Sequence, residues 1–394
     1  MKKFSPNMFL MALGAGGIAV SGFAFLNYTV THSKGLITYA MLHAKNLSSF
    51  EKFLYGFTET YMIIFTVIHL ILTFFLLKRY FNWKGTKEYK QILNNPLLNS
   101  SLLVPFVSLF MTFNVVLGTV RYFVPMISDN LQAMMLPGLI AWGLLWLILM
   151  LLETKILVIA FSSKFDVSKI SFAWLMQPFS LGMATVTGTG IAALATNASI
   201  AHVAAFISLI SFTMAIFLLV FKLFFLFKKS LSEEKLPDTQ LLPSVLMVVP
   251  ILTVLGISAF RYGHYLERQF GFHLGAYFLI VTLVTFVFQT WYLFFGLNLI
   301  KKYLSKEMSK EYHVSQWGLV CPFVAYAVMG SFVFANFVPS VFLLSLIVLL
   351  TFLFIGLYFY LLAKQLRCHG LNTSDAKSFC SNNIILPEMI EERA

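Results

Sequence analysis

Charge is scarce in this chain: Asp, Glu, Lys and Arg make up 11% of its 394 residues. A soluble domain carries roughly a quarter, so this one could not cover itself with a water-compatible surface. Cysteine is scarce too, with three in all, which excludes a disulfide framework. Cys321, Cys368 and Cys380 form no cluster, and no C-x-x-C-H occurs, so neither a metal nor a haem-attachment motif is on offer. Thr187-Gly188-Thr189-Gly190 is followed by no GK[ST] and is not a phosphate loop. The strict alternation of a membrane barrel is missing as well. These absences exclude a cytosolic enzyme, a secreted scaffold and a disordered regulator. What the chain has is apolar bulk: 59% hydrophobic residues, 43 Phe and a mean hydropathy of +0.83. Its class is an all-α integral membrane protein.

Ten apolar stretches reach the roughly 20 residues that a bilayer crossing needs. They lie near 8–28, 54–77, 101–124, 132–152, 172–195, 199–227, 242–262, 273–299, 316–337 and 340–363. Lys2 and Lys3 ahead of the first resemble a signal peptide, but that run is long and further spans follow, so it is read as a retained helix. With the N-terminus inside, 22 of the 28 Lys and Arg fall on the inner side. The six outside are Lys34, Lys45, Lys52, Arg121, Arg261 and Arg268. The positive-inside rule then makes both termini cytoplasmic. The net charge of +12 reflects this topology and calls for no nucleic-acid partner; the partner is the lipid bilayer. Residues 1–363 form the membrane domain, and 364–394 a polar cytoplasmic tail with no assigned chemistry.

Proline spacing is the most informative pattern. Pro105, Pro178, Pro250 and Pro322 stand 73, 72 and 72 residues apart, each in the first half of an odd-numbered span. Glycines follow them within a few turns, and span 1 carries Gly14, Gly16, Gly17 and Gly22 in place of the proline. A period of one helical hairpin signals an internal repeat. The expected unit is a kinked, glycine-rich odd helix followed by a smoother, greasier even one. Five such hairpins in a quasi-fivefold arrangement would put the odd helices around a central pore. The competing reading is that prolines are simply common in membrane helices.

The odd spans are nearly neutral, with Ser, Thr and amide groups that suit passage of ions better than capture. The same groups also serve to bond neighbouring helices. Arg121 and Arg261 end spans 3 and 7 on the outer side, where two guanidiniums would concentrate anions; the alternative is snorkelling to lipid phosphates. Glu59 and His69 on span 2 could form a proton relay only if that span touches the path. His69 and His202 are the only histidines placed inside spans, too few for a clear haem site. No metal or cofactor is expected, and no enzyme activity.

Three local runs carry a family resemblance. Asn95-Pro96 precedes span 3; Phe172-Ala173-Trp174-Leu175-Met176-Gln177-Pro178 opens span 5; and Gln316-Trp317-Gly318-Leu319-Val320-Cys321-Pro322 opens span 9. With ten spans and Pro-Gly odd helices, the chain resembles the tellurite-resistance/dicarboxylate transporter family, which includes TehA-like proteins and slow anion channels. The resemblance covers residues 8–363. It implies a pore lined by the odd helices, homotrimers in a bacterial inner membrane, and small inorganic anions or C4-dicarboxylates as cargo. In the channels of that family a Phe before the span 9 proline plugs the pore; here the position is Cys321. Phe323, Phe106 and Phe179 are the neighbouring aromatics that could close the path instead. The first functional expectation is an anion channel or uniporter. The second is a proton-coupled carrier of C4-dicarboxylates or sulfite- or tellurite-type oxyanions. The third is a membrane subunit of a redox complex.

Overall fold

The computed structural model describes residues 4–33, 35–163, 169–232 and 238–370. Ten long helices follow one another: α1 (Pro6–Thr29), α2 (Ser49–Lys84), α3 (Asn99–Phe123), α4 (Met135–Ser162), α5 (Met176–Leu194), α6 (Ala198–Ser232), α7 (Leu242–Phe270), α8 (Gly275–Leu299), α9 (Val314–Asn336) and α10 (Val341–Gly370). Among the described residues nine are long and apolar enough to cross a membrane. The tenth, α5, is diluted by Gly182, Gly188, Gly190, Thr185, Thr187 and Thr189, yet it holds the fifth place in the bundle. α10 runs past the expected domain boundary at 363, and the rest of the tail, 371–394, lies outside the described residues.

The odd helices form a closed inner ring. α1 packs on α3, α3 on α5, α5 on α7, α7 on α9, and α9 back on α1. The even helices surround them: α2 lies on α1, α4 and α6 on α5, α8 between α7 and α9, and α10 on α9. Burial separates the two rings. Within the apolar core of each helix, 94, 56, 78 and 61% of residues are buried in α1, α3, α7 and α9, against 39, 17, 39, 28 and 33% in α2, α4, α6, α8 and α10. Large apolar side chains such as Phe74, Leu151, Phe217, Phe294 and Phe342 stay exposed on the outer helices, as a lipid-facing surface requires.

The prolines do not kink the odd helices, as the expected kinked unit would require. Each odd helix opens with a tight 3₁₀ segment: Pro6–Met8, Asn99–Leu103, Phe172–Leu175, Leu242–Met247 and Val314–Leu319. Pro105, Pro178, Pro250 and Pro322 then fall at the second or third residue of the α-helical part. A missing N–H is tolerated in a first turn, and a φ near −65° presets the helix. The real irregularity of α3 is a π-helical turn at Val116–Val120, where a Cβ on Gly118 would stand 3.0 Å from the Phe23 ring. Glycine there lets α1 and α3 approach.

Candidate functional site

A cavity of about 750 Å³ runs down the axis of the inner ring. Among the described residues its wall comes from α1, α3, α5, α7, α9 and the segment after α1, and from no even helix. It opens at the end of the bundle remote from the start of α1 and the end of α10, where His264 and Arg268 are exposed at its rim. Toward the terminal end lies a second cavity of about 80 Å³, bordered by Asn7, Gln240, Ser244 and Ser315. Phe179, Pro250 and Cys321 border both. The partition between the two cavities is therefore made by the proline-bearing turns of α5, α7 and α9. Phe106 and Phe323 border neither cavity, nor do Pro105, Pro178 and Pro322.

The two arginines part company. Arg261 lines the large cavity and donates from Nη1 to the carbonyl of Val186 on α5. Helix α7 continues to Phe270, so Arg261 sits nine residues inside it, about 13 Å from its end at 1.5 Å per residue. It lies one helical turn inside the exposed rim residue His264. Gly190 gives it room, since a Cβ there would lie 3.1 Å from Nη1. Among the described residues no carboxylate pairs with it. Arg268, two turns above, donates to the carbonyl of Leu194 at 2.7 Å, and His264 stands 3.5 Å from Glu267. Arg121 does not line the cavity. It is buried, with Nε 3.0 Å from the carbonyl of Leu117, Nη2 2.8 Å from that of Ile37, and its guanidinium over the Phe23 ring. It ties the end of α3 to the segment after α1.

A helix-lined axial conduit, mainly apolar in its wall, with Arg261 inside it and no carboxylate paired to that cation among the described residues, is compatible with anion passage. Residues 3–366 fit the voltage-dependent anion channel family. The chain belongs to that family. No curated protein matches it. As a member of the voltage-dependent anion channels, it is a membrane-spanning anion channel or transporter.

Within this anion channel fold the intramembrane acid and histidine of α2 lie off the path. Glu59 accepts from the Tyr122 hydroxyl at 2.6 Å and meets His43 Nε2 at 3.1 Å. His69 is fully buried, with Nδ1 2.7 Å from the carbonyl of Ala12 on α1 and Nε2 2.9 Å from the hydroxyl of Thr112 on α3. The carbonyl can only accept, so Nδ1 carries a proton, while Nε2 lies within hydrogen-bond distance of the Thr112 hydroxyl. Both ring nitrogens of His69 are thus engaged in joining three helices. His202 is exposed and meets the Tyr265 hydroxyl at 2.7 Å.

Sequence reasoning missed a set of buried polar side chains that tie the outer ring to the inner one. Glu153 on α4 and Lys222 on α6, 0 and 1% exposed, converge on the start of α5. Gln289 on α8 donates to the carbonyl of Val249 at 3.1 Å and to the Thr253 hydroxyl, bracketing Pro250. Lys364 on α10 donates to Gln316 at the start of α9 at 3.2 Å. The signal was available in part: Glu153 and Lys222 each follow a long apolar run, and a shorter one, Ile156–Phe161 or Leu223–Phe227, comes after each. Span limits of 132–152 and 199–227 put Glu153 beyond the membrane and left Lys222 as a helix-end charge, whereas α4 and α6 run on to Ser162 and Ser232.

Proposed function

We propose that the protein is a passive, anion-selective conduit whose closed state is held by the Phe179–Pro250–Cys321 partition. The observation that carries this reading is that those three residues border both axial cavities. Phe179 is the only aromatic of the three, so its ring is the closing element and Cys321 its small counterpart. Arg261 is the interior anion site. A cation without a carboxylate partner, in a wall made mainly of apolar side chains, raises the local concentration of anions and repels cations. Small inorganic anions are the cargo.

The wide cavity faces outward and both termini face the cytoplasm, because lysine and arginine cluster at the terminal end. A bacterial inner membrane and a homotrimer follow from the resemblance to the TehA-like proteins. The same reading keeps 1–363 as the membrane domain and the remaining tail as a cytoplasmic appendage.

Proton coupling finds little support, since Glu59 and His69 border neither cavity and each is engaged by other protein groups. The test is anion flux into proteoliposomes at a set membrane voltage, with and without a pH gradient. Flux that follows voltage and ignores the proton gradient is expected. Flux of one organic or sulfur oxyanion that follows the proton gradient would contradict the proposal and favour a carrier.

A further inference from the structure

The turn that carries Phe179 is gripped from outside. Gln177 and Ser180, which flank Pro178-Phe179, are both fully buried. Glu153 of α4 reaches both: Gln177 Nε2 donates to its Oε2 at 2.8 Å, and Ser180 Oγ donates to its Oε1 at 2.7 Å. From the other side Lys222 of α6 donates to Gln177 Oε1 and to the carbonyl of Trp174 at 2.9 Å, with its ammonium 4.2 Å from the Trp174 ring centre. The Gln177 amide bridges a carboxylate and an ammonium, each partner matching its own polarity. None of Glu153, Gln177, Ser180 and Lys222 borders either cavity.

We propose that Glu153 and Lys222 are positioning residues for the Phe179 partition, setting its aperture by fixing the Gln177–Ser180 turn between the two outer helices. The inference rests on the reading of Phe179 as the closing element. Its physical basis is the cost of leaving a buried charge without its partners. Any shift of the turn breaks charge-assisted hydrogen bonds that lipid or apolar side chains cannot replace. The turn is thereby confined to one position, or to discrete positions in which α4 or α6 moves with it. Outer-ring movement becomes a means of moving the ring of Phe179 although, among the described residues, no outer helix lines the conduit.

A double-mutant cycle on the full-length protein in proteoliposomes, with chloride flux at fixed voltage as readout, tests this. Glu153→Gln keeps the size and much of the hydrogen bonding but removes the charge; Ser180→Ala removes one of the two bonds to Glu153. Each is expected to raise flux about fivefold, the shift that losing ~1 kcal/mol from a two-state equilibrium produces. In a Phe179→Ala background the same substitutions are expected to add nothing, because the ring they position is gone. Equal effects in both backgrounds, or no effect of either substitution alone, would overturn the positioning role while leaving the Phe179 reading intact. If Phe179→Ala itself fails to raise flux, the partition reading falls and the positioning role falls with it. Should Glu153→Gln fold poorly, Ser180→Ala alone, with a wild-type melting temperature, decides between these outcomes.

Discussion

Phe179 and Cys321, on α5 and α9, share one wall: each faces the wide axial cavity on one side and the small terminal cavity on the other. On the proposed reading the aromatic that closes the path comes from α5, whereas the family resemblance placed it on α9, where a small thiol, Cys321, stands.

Reciprocal substitutions follow. Phe179→Ala is expected to raise anion flux about tenfold, as removing a ~1.4 kcal/mol barrier would. Cys321→Phe is expected to lower flux by a similar factor, because a second ring would fill the remaining gap. Phe106→Ala and Phe323→Ala, which border neither cavity, are expected to leave flux unchanged. Flux assays on the four variants check this.

Arg261 and Arg121 should behave differently although the sequence treats them alike. Arg261→Gln is expected to reduce chloride flux about tenfold, within the range by which focused charge raises local ion concentration, and to weaken anion-over-cation selectivity. Arg121→Gln removes a buried cation bonded to two carbonyls. It is expected to lower the melting temperature and leave the selectivity of the surviving protein unchanged.

His69 should report on packing and not on proton movement. His69→Ala removes two buried hydrogen bonds between helices, worth about 1–2 kcal/mol together inside a membrane bundle. Gly16→Ala should destabilise through the same contact, because a Cβ there would lie 2.7 Å from His69 Nδ1. Thermal unfolding in detergent measures both. The response of flux to a pH gradient is expected to stay as in the wild type.

The ring of five hairpins was legible because it rests on period and hydropathy. The proline spacing marks where four of the five inner helices begin their α-helical part, and the greasy even runs mark the outer ring. What a proline does at that point was not legible, since the preceding 3₁₀ turn leaves no hydropathy signal. Nor was the depth of Arg261, because hydropathy ends a span where polar residues begin, whereas α7 continues through Arg261, His264, Glu267 and Arg268. Rotation about the helix axis decides that Phe179 faces the conduit and Phe106 does not; adjacent positions after equivalent prolines look the same in sequence. The grip of Glu153 and Lys222 on Gln177 joins residues 24 and 45 positions apart, a pairing visible only once the two rings are assembled.

The most direct test is the reversal potential of Phe179→Ala in a planar bilayer with a chloride gradient across it. A conductance clearly above that of the wild type, reversing near the chloride equilibrium potential and unmoved by a superimposed pH gradient, is the predicted result. A conductance no larger than the wild type's, or one reversing near the cation potential, would contradict an anion conduit closed by Phe179.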